Sequence, residues 1–293
     1  MAMKNVAIYG TGLIGGSIGL KIKQNKLPYR VLGFGGHKKN LKLALQRKAV
    51  DEIFFEDNNV LKKADFIILT VPPKIVSAFI NKSLKHFKKN TLITDATSVR
   101  DNIDIGVYKL LNKHNKLTGR NISFIGSHPM AGSEKKGIKY ADAAIFQNAN
   151  VFITPYKIVN KKNLKFLKDF WNMLGCKIQV IDPLNHDKFV GFTSHLPHLL
   201  SGLLINLIFK EYSKNKSIKN AIANSFRDMT RISDSNPSLW ADICELNEKN
   251  LIKSLSKLRS DIEKIEINLK NKKFDNIFKF FELANQNRKT LVK

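Results

Sequence analysis

Cysteine is nearly absent: Cys176 and Cys244 are the only two in 293 residues, too few for a disulfide framework and not in metal-ligand spacing with each other or with any histidine. A reducing, cytoplasmic compartment is therefore expected. Glycine and proline number 16 and 8, which excludes collagen-like and Pro/Gly-rich low-complexity chains, and 43% hydrophobic residues exclude a disordered one. No apolar window approaches the roughly 18 consecutive residues that suggest a bilayer span. The start, Met1-Ala2-Met3-Lys4, runs directly into a strand-like stretch, so neither a membrane span nor a signal peptide is expected. Acids are scarce as well: 24 Asp and Glu against 50 Lys and Arg give a net charge of +26, which concentrates anionic partners. The lysines fall in scattered pairs (Lys38-Lys39, Lys88-Lys89, Lys272-Lys273) rather than in a basic arm or a basic-aromatic ladder, and no nucleic-acid partner is expected.

This length makes one large domain or two ordinary ones. Val6-Ala7-Ile8-Tyr9, Val31-Leu32-Gly33-Phe34, Phe66 to Val71, Thr91 to Asp95 and Ile122 to Gly126 are short apolar or β-branched runs with helix-patterned stretches between several of them. That alternation predicts a mostly parallel sheet covered on both faces. Val151 to Thr154 and Lys177 to Ile181 read as the last units of the same sheet. After Asp182-Pro183 helical periodicity takes over, so the expected fold is an α/β Rossmann-type dinucleotide-binding domain over 1–182 and an all-α domain over 183–293. The segment from about His186 to Phe209 is too apolar for an ordinary surface helix, which suggests burial at a junction or between subunits. Asn236-Pro237 starts another helix, and Lys249 to Lys270 reads as an amphipathic one.

Gly10-x-Gly12-x-x-Gly15 follows the first strand and opens a helix, the context in which such a turn cradles a dinucleotide pyrophosphate. Gly10, Gly12, Leu13, Ile14 and Gly15, with Val71 and Pro72 at a later strand end, are the candidate cofactor-binding residues. NAD-selective sites normally carry an acid about 20 residues on, bonded to the ribose 2′-hydroxyl. Here the second strand ends in Phe34-Gly35-Gly36-His37-Lys38-Lys39. With no carboxylate to repel a 2′-phosphate, and His37 and Lys38 near enough to neutralise it, NADP is expected to serve at least as well as NAD.

Three segments place polar residues where ligands bind. Thr94 to Arg100 ends a strand and presents Ser98 to cofactor or substrate. Gly126 to Glu134 does the same for His128, a candidate general base, with a surface or packing role as the alternative. His186-Asp187 and Ser194-His195-Leu196-Pro197-His198 lie in the apolar helix, where Ser194 and His198 share a face and need partners. Zinc held by His186, His195 and His198 would match no familiar spacing, and no metal is expected.

These segments, together with Phe226-Arg227-Asp228-Met229-Thr230-Arg231-Ile232, Asn236-Pro237 and Trp240, resemble the prephenate dehydrogenase family, which also contains arogenate dehydrogenases; the resemblance spans nearly the whole chain. It implies oxidative decarboxylation of prephenate to 4-hydroxyphenylpyruvate with hydride transfer to NAD or NADP, in tyrosine biosynthesis. It also implies roles: His128 as base, Ser98 positioning hydroxyl, base and nicotinamide, and Arg231, His198, Ser194 and Trp240 holding the dicarboxylate. A homodimer through the helical region is implied too. Thr97 and Gly35 depart from the common pattern. Arogenate or dual specificity remains open, with Asp228 or Asp234 as partner for its ammonium. Other two-domain dehydrogenases share the architecture but give His128 and the Ser194-to-His198 stretch no purpose.

Overall fold

The first strand, β1 (Asn5–Tyr9), owes its run of Val6, Ala7 and Ile8 to burial on both faces. It pairs in parallel with β2 (Arg30–Phe34) on one side, and on the other with the wholly buried β4 (Phe66–Leu69). The computed structural model describes residues 4–132, 135–157 and 159–292; Ser133 and Glu134 of the expected His128 motif lie outside them. With β3 (Glu52–Phe54), β5 (Leu92–Asp95) and β6 (Ser123–Phe124), the parallel sheet runs in the order β3-β2-β1-β4-β5-β6. Strand order reverses beside β1, so the carboxyl ends of β1, β4 and β5 open onto the crevice in which such sheets bind ligands. The helices of this part are α1 (Leu13–Gln24), α2 (Lys38–Gln46), α3 (Asp57–Leu61), α4 (Pro73–Ser83) and α5 (Asp101–Thr118).

Two expectations about the sheet are corrected. The single strand expected over Ile122 to Gly126 is only β6, after which the chain leaves the main sheet as β7 (Gly126–Pro129). The strands expected to extend that sheet, β8 (Asn150–Thr154) and β9 (Lys177–Val180), instead form a second, three-stranded sheet with β7. Here β7 is antiparallel and β9 parallel to β8. Gly126 sits at the step between sheets. A Cβ there would lie 2.6 Å from the Thr154 hydroxyl, 2.7 Å from an Asp104 oxygen and 2.9 Å from the Arg100 guanidinium. Only glycine lets the strand cross this buried ionic cluster. Between β8 and β9, α6 (Lys161–Met173) buries Leu167, Phe170 and Trp171 in the core beneath β7 and β8.

From Pro183 onward the structure is helical. The Asp182 carboxylate caps α7 (Pro183–Val190) by accepting from the Asn185 N–H. A π turn over Gly191–His195 then leads into α8 (Leu196–Lys214), so the expected helix from His186 to Phe209 is longer and carries a bulge. Next come α9 (Asn224–Thr230), α10 (Pro237–Leu246), α11 (Glu248–Lys270) and α12 (Phe274–Leu291). Packing groups both sheets and the helices up to α10 in one compact unit that ends at Asn247, and α11 and α12 form a second unit. The most apolar 18-residue stretch of Pro183–Lys214 has a mean hydropathy of 1.3, long and apolar enough to cross a bilayer by length and composition. Ser201 alone is fully buried within α8, while Leu203 and Phe209 are about 60% exposed.

Candidate active site

The carboxyl edge of the main sheet, β7 and the helical segments around α8 and α10 enclose a cavity of about 810 Å³. Of the residues singled out in the sequence, Leu13, Ile14, Val71, Pro72 and Ser98 line its sheet side. His128, Ser194, His198, Arg231 and Trp240 complete the wall. Gly10, Gly12, Gly15, His37 and Lys38 are not part of this wall.

At the glycine turn, Gly10 adopts a left-handed φ of +93°, and a Cβ on Gly15 would lie 2.4 Å from the Gly10 carbonyl oxygen and 2.5 Å from the Thr70 hydroxyl. Gly12, the N-cap of α1, has open space where a side chain would stand, and neither a side-chain cap nor an acid occupies the first turn of the helix. Uncapped N–H groups at the positive end of a helix dipole, facing open space, fit a pyrophosphate. At the end of β2, a Cβ on Gly35 would fall 1.8 Å from a Tyr9 ring carbon, and Gly35 itself has φ +71°. Tyr9 thus fills the volume that an acidic side chain would need there. His37 and Lys38 are exposed at the start of α2, with the Lys38 ammonium 5.5 Å from the centroid of the Phe55 ring.

His128 is held by a chain of buried groups. Its Nδ1 lies 2.9 Å from His186 Nε2, and His186 Nδ1 lies 2.8 Å from Asp187 Oδ1. The Asp187 carboxylate accepts from the Arg100 and Asp101 N–H groups, at 2.8 and 2.9 Å, where α5 begins. Burial pushes the His186 imidazole below its ordinary pKa although Asp187 pulls it upward. Burial likewise pushes His128 well down, aided by His186, Arg100 and His195. Both rings are therefore neutral near pH 7, and the tautomers follow in sequence. The carboxylate accepts from His186 Nδ1–H, His186 Nε2 then accepts from His128 Nδ1–H, and the lone pair of His128 is left on Nε2. That is the state a general base requires.

The backbone beside His128 is equally fixed. Arg100 is fully buried, paired through both terminal nitrogens with Asp95 (2.6 Å for Nη2 to Oδ2), and donates to the Ser127 carbonyl at 2.8 Å. Burial pushes the nearby Asp104 carboxyl up to about 7 against the pull of Arg100. The Ser127 hydroxyl meets the Thr94 hydroxyl at 2.8 Å and accepts from the Trp171 indole N–H at 3.1 Å. Thr97, the departure from the common pattern, donates its hydroxyl proton to Asp95 and so joins this network.

Across the cavity, the Ser194 carbonyl accepts from His198 Nδ1 at 2.9 Å, and Trp240 stacks on the His198 ring with centroids 3.7 Å apart. Burial pushes His198 below its ordinary pKa. His195 does not line the cavity; buried, with its pKa pushed down to about 4 chiefly by burial, it meets the Asn247 amide nitrogen at 2.9 Å. Arg231 opens a short 3-10 turn, Arg231–Asp234. Asp228 and Asp234 are exposed, and among the described residues no aspartate or glutamate lines the cavity. The positioning parts of His186, Asp187, Arg100 and Asn247 were missed by residue-by-residue reading. The available signal was an adjacent His-Asp pair in an otherwise apolar segment, which demands buried partners.

Residues 18–180 match the family model "Prephenate dehydrogenase, nucleotide-binding domain", and residues 182–283 match "Prephenate dehydrogenase, dimerization domain". Prephenate dehydrogenase of Lactococcus lactis subsp. cremoris is 29% identical over 99% of this chain and 78% of its own length. Cyclohexadienyl dehydrogenase of Zymomonas mobilis is 27% identical over 98% and 96%. A crystal structure of prephenate dehydrogenase from A. aeolicus, in complex with hydroxyphenyl propionate and NAD+, superposes with a TM-score of 0.88 at 23% identity over 99% of both chains, which shows the shared fold. With both of its regions matched in order, the chain belongs to the prephenate dehydrogenase family.

Proposed function

We propose that this protein converts prephenate and a nicotinamide dinucleotide into 4-hydroxyphenylpyruvate, carbon dioxide and the reduced dinucleotide, a step of tyrosine biosynthesis. The observation that carries this reading is the Asp187–His186–His128 chain, which delivers one unprotonated ring nitrogen at the wall of a cavity that Arg231 also lines. Accepting the hydride is the chemistry a bound nicotinamide supplies. His128 Nε2 takes the proton of the C4 hydroxyl as hydride leaves C4, with Ser98 orienting that hydroxyl. The bond between C1 and the ring carboxylate then breaks, and its electron pair completes the aromatic ring. His128 returns its proton to the phenolic oxygen. The positive charge it carries meanwhile is balanced through His186 by the Asp187 carboxylate. General-base assistance of this kind contributes about 10²- to 10⁴-fold.

Arg231 is assigned to a substrate carboxylate because a guanidinium offers a planar bidentate fork; Trp240 and His198 pack along the substrate, and Ser194 lies beside them. Prephenate is favoured over arogenate because the described wall holds cations and no acid, so an ammonium on the side chain would find repulsion. For the cofactor, NADP is assigned at least parity with NAD, since Gly35 and the Tyr9 ring leave no carboxylate to repel a 2′-phosphate. Residues 1–182 are assigned to dinucleotide binding, and 183–293 to substrate binding and a homodimer. The exposed apolar side chains of α8 support such an interface, while His186, Asp187, Ser194 and His198 tie the same apolar run to the cavity and its base. The deciding measurement is a cofactor-reduction assay with prephenate and arogenate, each with NAD and NADP. Turnover of prephenate well above arogenate is expected; a rate with arogenate alone would overturn the substrate assignment, and a strong NAD preference the cofactor assignment.

A further inference from the structure

We infer that Asn247 is a positioning residue for Ser98: its amide sets the tautomer of His195, so that the remaining N–H of that ring holds the Ser98 backbone at the cavity wall. The role given to Ser98 rests on the reaction proposed above. Asn247 is the buried C-cap of α10, and its amide nitrogen lies 2.9 Å from the Asp187 carbonyl oxygen and 2.9 Å from His195 Nδ1. A carbonyl only accepts, so the nitrogen of the amide, and not its oxygen, must face Asp187. That nitrogen carries two hydrogens, one for each contact. His195 Nδ1 is therefore the accepting nitrogen, and the proton of the neutral ring stands on Nε2.

His195 is wholly buried and stands edge-on to Trp240 of the cavity wall, with ring centroids 5.9 Å apart at 81°. Its Nε2 makes no well-aligned side-chain or water contact, and the Ser98 backbone draws the ring's pKa upward against burial. A backbone group that raises a histidine pKa is an accepting carbonyl, and a buried donor requires such a partner. Ser98, whose hydroxyl is assigned to the reacting oxygen, is thus held from behind by its own carbonyl. Aspartate, of the same shape as asparagine, could not replace Asn247. As an acceptor it would oppose the Asp187 carbonyl and draw the His195 proton to Nδ1, leaving a lone pair on Nε2 against the Ser98 carbonyl. An amide that only capped α10 would place no demand on the tautomer.

The test reads the His195 tautomer by nitrogen NMR of the full chain with isotope-labelled histidine near neutral pH, the H195Q chain identifying the signal by its loss. It also measures kcat and KM for prephenate in the parent, N247D, S98A and the N247D/S98A double variant. The parent should show the Nε2–H tautomer and N247D the Nδ1–H tautomer. N247D should lower kcat about 10- to 10²-fold, the cost of a small misplacement of reacting groups, while KM changes less than about 3-fold. In the S98A background the same substitution should cost kcat at least about 3-fold less, because the hydroxyl it positions is gone. An Nδ1–H tautomer in the parent overturns the assignment without recourse to the N247D chain. An unchanged tautomer in N247D, a KM that rises as much as kcat falls, or a full and additive loss in S98A would each overturn it as well. Absence of prephenate turnover in the parent would instead overturn the proposed reaction, while the tautomer still decides what Asn247 does to His195.

Discussion

At the His128 end of the cavity, His128, His186, Asp187 and Arg100 are all buried and bonded to one another or to backbone, whereas the Arg231 end is assembled from exposed side chains on a short 3-10 turn and on the segment after β7. The difference follows from what each end must do. A base must present one lone pair in one direction, and burial within a hydrogen-bonded chain fixes both the tautomer and the aim of the ring. A site that admits a dianion and releases a monoanion and carbon dioxide gains from hydrated cations that exchange readily. The same low-dielectric surroundings that orient His128 also lower its pKa, so positioning and protonation state have one cause.

The sharpest way to break this comparison is to remove the base. His128→Asn should lower kcat by about 10²- to 10⁴-fold with little change in KM; a comparable change in KM would mean that the ring binds substrate rather than acting on it. Arg231→Ala should act on the opposite parameter, raising KM by about 10- to 10²-fold, the value of a charged hydrogen-bonded pair, while kcat falls less. Equal losses of kcat in the two variants would erase the distinction between the ends. The mildest effect is in the pH profile. Protonation removes the lone pair of His128, so kcat/KM must fall toward acid, and burial places that fall below the ordinary histidine value of 6.5. An acid limb at or above 6.5 would show that the buried chain does not hold the free enzyme's base neutral.

Much of the main sheet was legible because strands buried on both faces must be continuously apolar, as in Val6 to Ile8 and Phe66 to Leu69. The glycine turn was legible because its spacing answers a backbone requirement. The edge strand β3 was not, since three residues carry no period, and β6 keeps only two residues of the strand expected over Ile122 to Gly126. Nor did β8 and β9 announce that they belong to another sheet, since a strand's pattern records its burial and not its neighbour. In the candidate site, His128 stood out by its place after a strand, but its partner lies 58 residues away on α7.

The sequence by itself determined the alternation of strands and helices, the anion-binding turn without an acid after β2, and a family resemblance carried by separated motifs, because each depends on local periodicity or on residue types at fixed spacing. Only the tertiary structure decided that Gly126 lets the chain step between sheets, that Tyr9 fills the space beside Gly35, and that Asp187 sets the tautomer of His128 through His186. Those depend on close approach between distant segments, where burial and hydrogen bonding act over a few ångströms of space and have no fixed distance along the chain.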